Sequence, residues 1–194
     1  MGRGHFVKGS TMKTANIMAV LFAFCLPVFA ETFSGTLLVR PDWTHEKVST
    51  STAYEKFTAL FNWAFTSGHS TNQMNQLWVA RRSLASGASS VFNLAGAVTN
   101  SFGTKLTMDE VRLMAVSLPS SNLNTLVIGW ATNNTFAAWT GAANDTVTIR
   151  PGGFFLLVGP DATGYVVSSN GNLKFANGGT NTITFDIWIG ASDQ

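Results

Sequence analysis

DTVTIRPGGFFLLVGPDATGYVVSSNGNLKFANGGTNTITFDIWIG, residues 145–190, reads as strand after strand with a turn signal between each pair. Thr146 to Ile149 alternates polar and apolar residues, Pro151-Gly152-Gly153 breaks the run, and Phe154 to Val158 is a short continuous apolar stretch. These are the patterns of half-buried and fully buried strands. Gly159 to Gly164 turns the chain into Tyr165-Val166-Val167. Asn170-Gly171-Asn172 is a further turn, since Asn-Gly supplies the positive φ of a tight hairpin, and it feeds Leu173 to Ala176. Asn177-Gly178-Gly179 closes the series before Thr182 to Ile189. Pro151, Gly152 and Gly153 are expected to form a structural turn. No helical period and no βαβ unit interrupts this antiparallel grammar.

Towards the N-terminus, Lys56 to Thr66 carries the clearest period-two signal. Phe57, Ala59, Phe61, Trp63 and Phe65 share one phase, and Thr58, Asn62 and Thr66 the other. A helix through Tyr54, Phe57 and Phe61 is the rival; the unbroken alternation and aromatic content favour a strand. Thr32 to Arg40 predicts a first strand stopped by Pro41-Asp42, and Leu77–Leu84, Gly87–Leu94, Val111–Leu118 and Asn124–Trp130 predict others. Val98 to Gly103 is expected to form a short helical turn ended by glycine. Ala131 to Asn144 is expected to be a loop around an apolar Phe136-Ala137-Ala138-Trp139 patch. About ten strands at roughly 8–12-residue spacing predict an all-β fold, an antiparallel β-sandwich, jelly-roll-like, in one domain over residues 31–194.

Arg150-Pro-Gly-Gly before an apolar strand, Gly159-Pro-Asp-Ala-Thr-Gly-Tyr165, and a terminal strand ending Asp186-Ile-x-Ile-Gly190 resemble small β-sandwich structural proteins encoded by bacteriophages and prophages. The similarity extends back through Asn75-Gln-Leu-Trp-Val-Ala-Arg-Arg-Ser-Leu-Ala85 and Leu94-Ala-Gly96, covering most of residues 54 to 190. The resemblance implies a virion component: a capsid, head-decoration or fibre-associated subunit. It rests on scaffold residues and brings no active site.

Residues 1–30 are a different kind of sequence. Lys13 precedes a mostly apolar run from Ile17 to Phe29, and Val28-Phe29-Ala30 places small residues where a signal peptidase reads them. The run is shorter than the ~20 residues of a membrane span. A signal peptide starting at Met12 is the expected reading, with an apolar arm packed on a neighbouring subunit as the alternative. Of the 12 Lys and Arg, Arg3, Lys8 and Lys13 lie in this segment, leaving nine basic against ten acidic residues, so the basic character belongs to the leader. The only cysteine, Cys25, lies there too, and a mature domain would hold no disulfide.

Candidate chemistry is sparse. A mature chain has two histidines, His45 and His69, and no Gly-x-Ser-x-Gly elbow. His69 lies in a polar loop that reads as exposed and without a role. Asp42-Trp43-Thr44-His45-Glu46 clusters three potential ligands without the spacing of a zinc site, and reads more simply as a turn. Asp109-Glu110 are adjacent and would point to opposite faces of a strand, unlike the facing carboxylates of a glycosidase. Asn-, Gly- and Asp-rich loops could ligate calcium, yet turns demand the same residues. The expectation is therefore no enzyme, no cofactor and no metal.

Arg81-Arg82 is the only adjacent basic pair, so nothing suggests nucleic acid. Charge is 11% of residues against 12% aromatic, a balance suited to self-association. Phe136 and Trp139 are the candidate interface or ligand-contact residues, Trp139 being the tryptophan expected to be most exposed. The sequence thus predicts a non-enzymatic structural subunit of a phage or phage-derived particle. Its expected partners are copies of itself, as a trimer or larger ring, and other shell or appendage subunits. Its expected place is a virion, or outside the cell where the signal is used. The alternative is a secreted carbohydrate- or surface-binding module.

Overall fold

The computed structural model describes residues 33–40, 42–47, 53–167 and 171–193. The leader expected over residues 1–30 lies outside them. β1 (Ser34–Val39) pairs with β4 (Phe61–Thr66), and β2 (Asp42–Lys47) with β3 (Ala53–Thr58), all antiparallel. The two ladders keep one register: Val39 faces Phe61, and Asp42 faces Thr58. β1 with β2 and β3 with β4 therefore keep one pairing register, as the two sides of a two-stranded ribbon. The expected strand Lys56 to Thr66 is real as an alternation, but it spans two elements of this ribbon. Asp42, expected in a turn, instead opens β2, because the partner strand continues across from it.

The chain then enters a sandwich. β5 (Gln76–Leu84) and β6 (Ser89–Asn93) are followed by a small hairpin of β7 (Val98–Thr99) and β8 (Lys105–Leu106). This hairpin replaces the helical turn expected at Val98 to Gly103. The Asn100 side-chain oxygen accepts from the backbone N–H groups of Phe102 and Thr104, closing a turn that would otherwise continue as a helix. β9 (Glu110–Ser117), β10 (Leu126–Gly129), β11 (Thr146–Ile149), β12 (Phe154–Val158), β13 (Tyr165–Val166), β14 (Asn172–Asn177) and β15 (Ile183–Ser192) complete the fold. Among the described residues there is no helix, and every ladder between strands is antiparallel. The fold is all-β. Among the described residues fifteen strands stand where about ten were expected, chiefly because β2, β3 and the small hairpin add their own.

Two four-strand orders carry the core. One sheet runs β12-β9-β15-β5, with β13 alongside β9; the other runs β11-β10-β14-β6. Among these eight strands, only β10 and β11 follow one another within a sheet; every other connection crosses to the opposite layer. Side chains from both inner faces meet between the layers. Phe175 of β14 stacks on Phe185 of β15 at 5.3 Å between ring centroids, and Trp78 of β5 packs on Phe92 of β6 at 5.0 Å. Such ring pairs each contribute about 0.5–1.5 kcal/mol beyond their buried area.

Pro151-Gly152-Gly153 lies between β11 in one sheet and β12 in the other. Gly152 has φ +79°, which a β-branched residue avoids. Gly153 is constrained by contact: a Cβ there would lie 2.7 Å from the Arg150 carbonyl oxygen. Leu118 donates to the Gly153 carbonyl and accepts from the Gly152 N–H, fixing the turn against the end of β9.

Candidate interaction surfaces

The outer faces of the two sheets differ in chemistry. Register places Leu77, Gly190, Leu113 and Val158 in one row across the outside of the β5-β15-β9-β12 sheet. Val79, Trp188, Ala115 and Leu156 form the next row, then Arg81, Asp186, Ser117 and Phe154. These alternate with the core-facing Trp78, Ile187, Met114 and Phe155, as the two-residue period requires. Phe154 is 55% exposed and Val79 also stands open. At the polar rim, Arg81 forms a two-pronged ion pair with Asp186 at 2.6 and 2.9 Å, which raises the already high Arg81 pKa further. Ser83 and Thr184 hydroxyls bond beyond it. On the other sheet, the corresponding rows hold Val91, Lys174, Gly129 and Thr146, then Ser89, Ala176, Val127 and Thr148. That face mixes Val91, half-exposed, Val127 and Ala176 with Lys174, Ser89 and two threonines.

The ribbon offers a second apolar surface. Gly35 pairs with Phe65, Leu37 with Trp63 and Val39 with Phe61, so these six share one face, while Ser34, Thr36, Asn62 and Thr66 lie on the other. Burial falls along that face away from the sandwich: Phe65 is 2% exposed, Trp63 is half-buried, and Phe61 is 47% exposed. Phe61 and Trp63 stack on each other at 5.9 Å. Neither ribbon strand joins a sandwich sheet.

The ribbon is held at its root by a buried charge cluster. Thr66 accepts from Met74 N–H and donates to Asn72 carbonyl; Asn72 in turn donates to Pro160 carbonyl. Beneath this loop lies Arg112, 0% exposed, at a bulge in β9: Gly190 faces Leu113 and Ala191 faces Val111, so Arg112 has no ladder partner. Its Nη2 donates to Glu110 Oε2 at 2.5 Å, Ala162 carbonyl at 2.7 Å and His69 carbonyl at 3.0 Å. Ser192 Oγ donates to the same Glu110 oxygen at 2.9 Å. Above Arg112, Gly164 at φ +58° leaves no space for a side chain, which would come within 2.9 Å of Arg112 Cδ. Asp161 closes this loop by accepting from Thr163 and Gly164 N–H groups, and those bonds hold its carboxyl below the usual range.

The candidate contact residues inferred from sequence need correction. Phe136 is 1% exposed and belongs to the core, and Trp139 is half-buried against Phe155 at 5.4 Å. The patch is not wet because its loop folds back: Phe136 N–H donates to Asn172 carbonyl, and Trp139 Nε1 donates to Phe136 carbonyl. Trp139 does line an open groove of about 380 Å³ with Thr140, Asp145, Phe155 and Leu157. The open tryptophan is Trp130, 48% exposed, with Lys174 Nζ 5.4 Å from its ring centroid. His69 Nδ1 lies 3.9 Å from Asp193 Oδ1, both half-exposed. The side chains of Asp42, His45 and Glu46 lie outside the described residues. Asp145 accepts from Ala142 N–H, so this carboxylate, like those of Glu110, Asp161 and Asp186, has a structural partner. Among the described residues no three His, Cys, Asp or Glu form a group able to hold a metal, and no helix is long and apolar enough to cross a membrane.

No family model, curated protein or solved structure matches this chain.

Proposed function

We propose that this protein is a non-enzymatic structural subunit of a phage or phage-derived particle that works by self-assembly. The observation that carries the reading is the open apolar face of the β1–β4 ribbon, held at its root yet uncovered at Phe61. A two-stranded ribbon is marginally stable alone in water, and a contiguous apolar face on a soluble chain usually marks a contact. The strand order β12-β9-β15-β5 against β11-β10-β14-β6 supports a jelly-roll-like reading, an architecture common to viral capsid and lectin domains. The resemblance to phage virion proteins agrees with it, and it is the sole support for the phage origin. Partners are copies of the chain and other shell or appendage subunits.

Light scattering of the purified full chain at micromolar concentration, followed by negative-stain imaging, tests this. Closed oligomers or particles are expected; a monomer with no larger species would remove the reading. A secreted carbohydrate- or surface-binding module is the second reading, favoured by the exposed Trp130 ring and by the groove beside Trp139. Glycan-array binding by the monomer, lost in Trp130→Ala, would favour it instead.

A further inference from the structure

We infer that the groove beside Trp139 is a binding site for a small organic cation, an ammonium or guanidinium group carried on an apolar stem. The site is independent of self-assembly and takes a ligand class other than carbohydrate. β11 and β12 each end the order of their sheet. Both line the groove, Val147 from the first and Phe155 and Leu157 from the second. Their register partners Ile128, Val116 and Met114 are fully buried, whereas these three, on the last strand of each sheet, are half-buried. The groove is thus a mouth at which the inner faces of the two sheets reach the surface.

The opposite mouth shows how the chain itself closes such a place. β5 and β6 end the same two sheet orders on the other side. There Trp78 and Phe92 form a tilted ring pair at 5.0 Å and 55°. Arg82 shares the inward phase of Trp78 on β5, and its guanidinium carbon lies 5.9 Å from the Trp78 ring centroid and 5.8 Å from that of Phe92. A cation at such a distance is drawn to the negative face of the ring quadrupole. At the β11–β12 mouth, Trp139 and Phe155 form a like pair at 5.4 Å and 60°. Among the described residues no lysine or arginine lies over either ring, and none lines the groove. Its one charged group is Asp145, opposite in sign to Arg82.

The carboxylate is fixed in place but not neutralised. Asp145 Oδ2 accepts from Ala142 N–H at 2.7 Å, and Gly141 leaves it room, since a Cβ there would come within 3.2 Å of that oxygen. Among the described residues no cation pairs with Asp145. The neighbouring donors are engaged within the loop: Trp139 Nε1 donates to Phe136 carbonyl and Thr140 Oγ1 to Ala142 carbonyl, each at 3.0 Å. Neither is free to bind a neutral, hydroxyl-rich ligand. One negative charge beside two ring faces selects a cation, and Val147 and Leu157 suit an apolar stem. A volume of about 380 Å³ is at the small end of ligand sites, enough for a short alkyl chain and its charged head.

The test titrates full-length, fluorotryptophan-labelled protein with n-butylammonium, n-butylguanidinium, n-butanol and methyl β-glucoside. Fluorine NMR follows the Trp139 line, assigned by its absence from Trp139→Phe. At least one of the two cations is expected to shift that line to saturation, with a midpoint about fivefold or more below that of n-butanol. Asp145→Asn keeps an acceptor for Ala142 N–H and removes the charge. It is expected to raise the cation midpoint about fivefold or more and to leave the n-butanol titration unchanged. No saturable shift with either cation would overturn the inference, as would n-butanol titrating as tightly as both. A cation midpoint unmoved by Asp145→Asn overturns it too. Saturation by methyl β-glucoside without saturation by a cation overturns it in favour of the carbohydrate-binding reading.

Discussion

Replacing Arg112 with methionine removes the group that joins the ribbon root, the Pro160–Gly164 loop and β9. The guanidinium is fully buried, and its Nη2 serves Glu110, His69 carbonyl and Ala162 carbonyl at 2.5–3.0 Å. Methionine fills part of the volume and satisfies none of these acceptors. The Glu110 carboxylate, 7% exposed, then keeps only the Ser192 hydroxyl among these partners. Breaking a buried pair by removing one partner costs about 3–5 kcal/mol. For a chain of this size that lowers Tm by roughly 6–20 °C. Arg112 Nε and Nη1 have no hydrogen-bond partner, so the native cluster already carries a desolvation cost. The double variant Arg112→Met/Glu110→Leu should therefore recover most of the loss. Urea unfolding of wild type, both single variants and the double variant completes the cycle. An Arg112→Met loss under about 1 kcal/mol, or a double variant no more stable than Arg112→Met, would refute the assignment of Arg112 and Glu110 as a coupled pair.

Three further outcomes follow from other parts of the fold. Gly152→Val and Gly153→Val are each expected to cost about 2 kcal/mol or more, the first through positive φ and the second through collision with Arg150 carbonyl, while His69→Ala stays within about 0.5 kcal/mol; thermal melts make the comparison. Trp139→Ser should lower stability by about 2–4 kcal/mol by removing its packing on Phe155, and should leave the light-scattering mass unchanged. Asp161 has its pKa depressed in the folded state, so its contribution is present above the unfolded value near 4 and is lost as pH falls through the folded value; carboxyl NMR should find it titrating below the ordinary aspartate value, and Asp161→Ala should flatten the acid limb of stability against pH.

The C-terminal strands were legible because each is short, bounded by Gly, Pro or Asn, and paired close to where its pattern lies. β11 and β12 match the expected runs, and β14 and β15 overlap theirs and extend past them. Alternation in Lys56 to Thr66 correctly grouped Phe61, Trp63 and Phe65 on one face. It could not say what covers that face, since the same period serves a core strand and a projecting ribbon. Phe136 and Trp139 were misplaced because the bonds that bury their loop run to Asn172 and Phe155, both distant in sequence. Alternation expected over Val111 to Leu118 gives no sign that Arg112 is buried. The signal that marks its bulge is a break in period: Val111, Met114, Val116 and Leu118 are all buried, at spacings of three, two and two. The bond network around it joins residues that no local pattern relates.

The cluster at Arg112 also bears on why a charged group sits where an apolar one would fold as well. Buried ion pairs are often no more stabilising than hydrophobic residues of similar volume, and two guanidinium nitrogens here lack partners. The arrangement supplies something packing cannot: one nitrogen donates to two carbonyls from separate loops, His69 and Ala162, fixing both relative to β9. Asn72 N–H then ties the root loop to Pro160, so the exit of the ribbon is set by hydrogen bonds on two sides. The six pairs of β1 and β4 span about 20 Å, so a shift of about 10° at the root moves their far end by roughly 3 Å. The cluster thus bears on the ribbon's direction as well as on stability. The double variant Arg112→Met/Glu110→Leu separates the two quantities: near-native unfolding energy with faster amide exchange at Asn72 and Met74 is the expected pattern. Unchanged exchange at those amides would show that packing alone orients the ribbon.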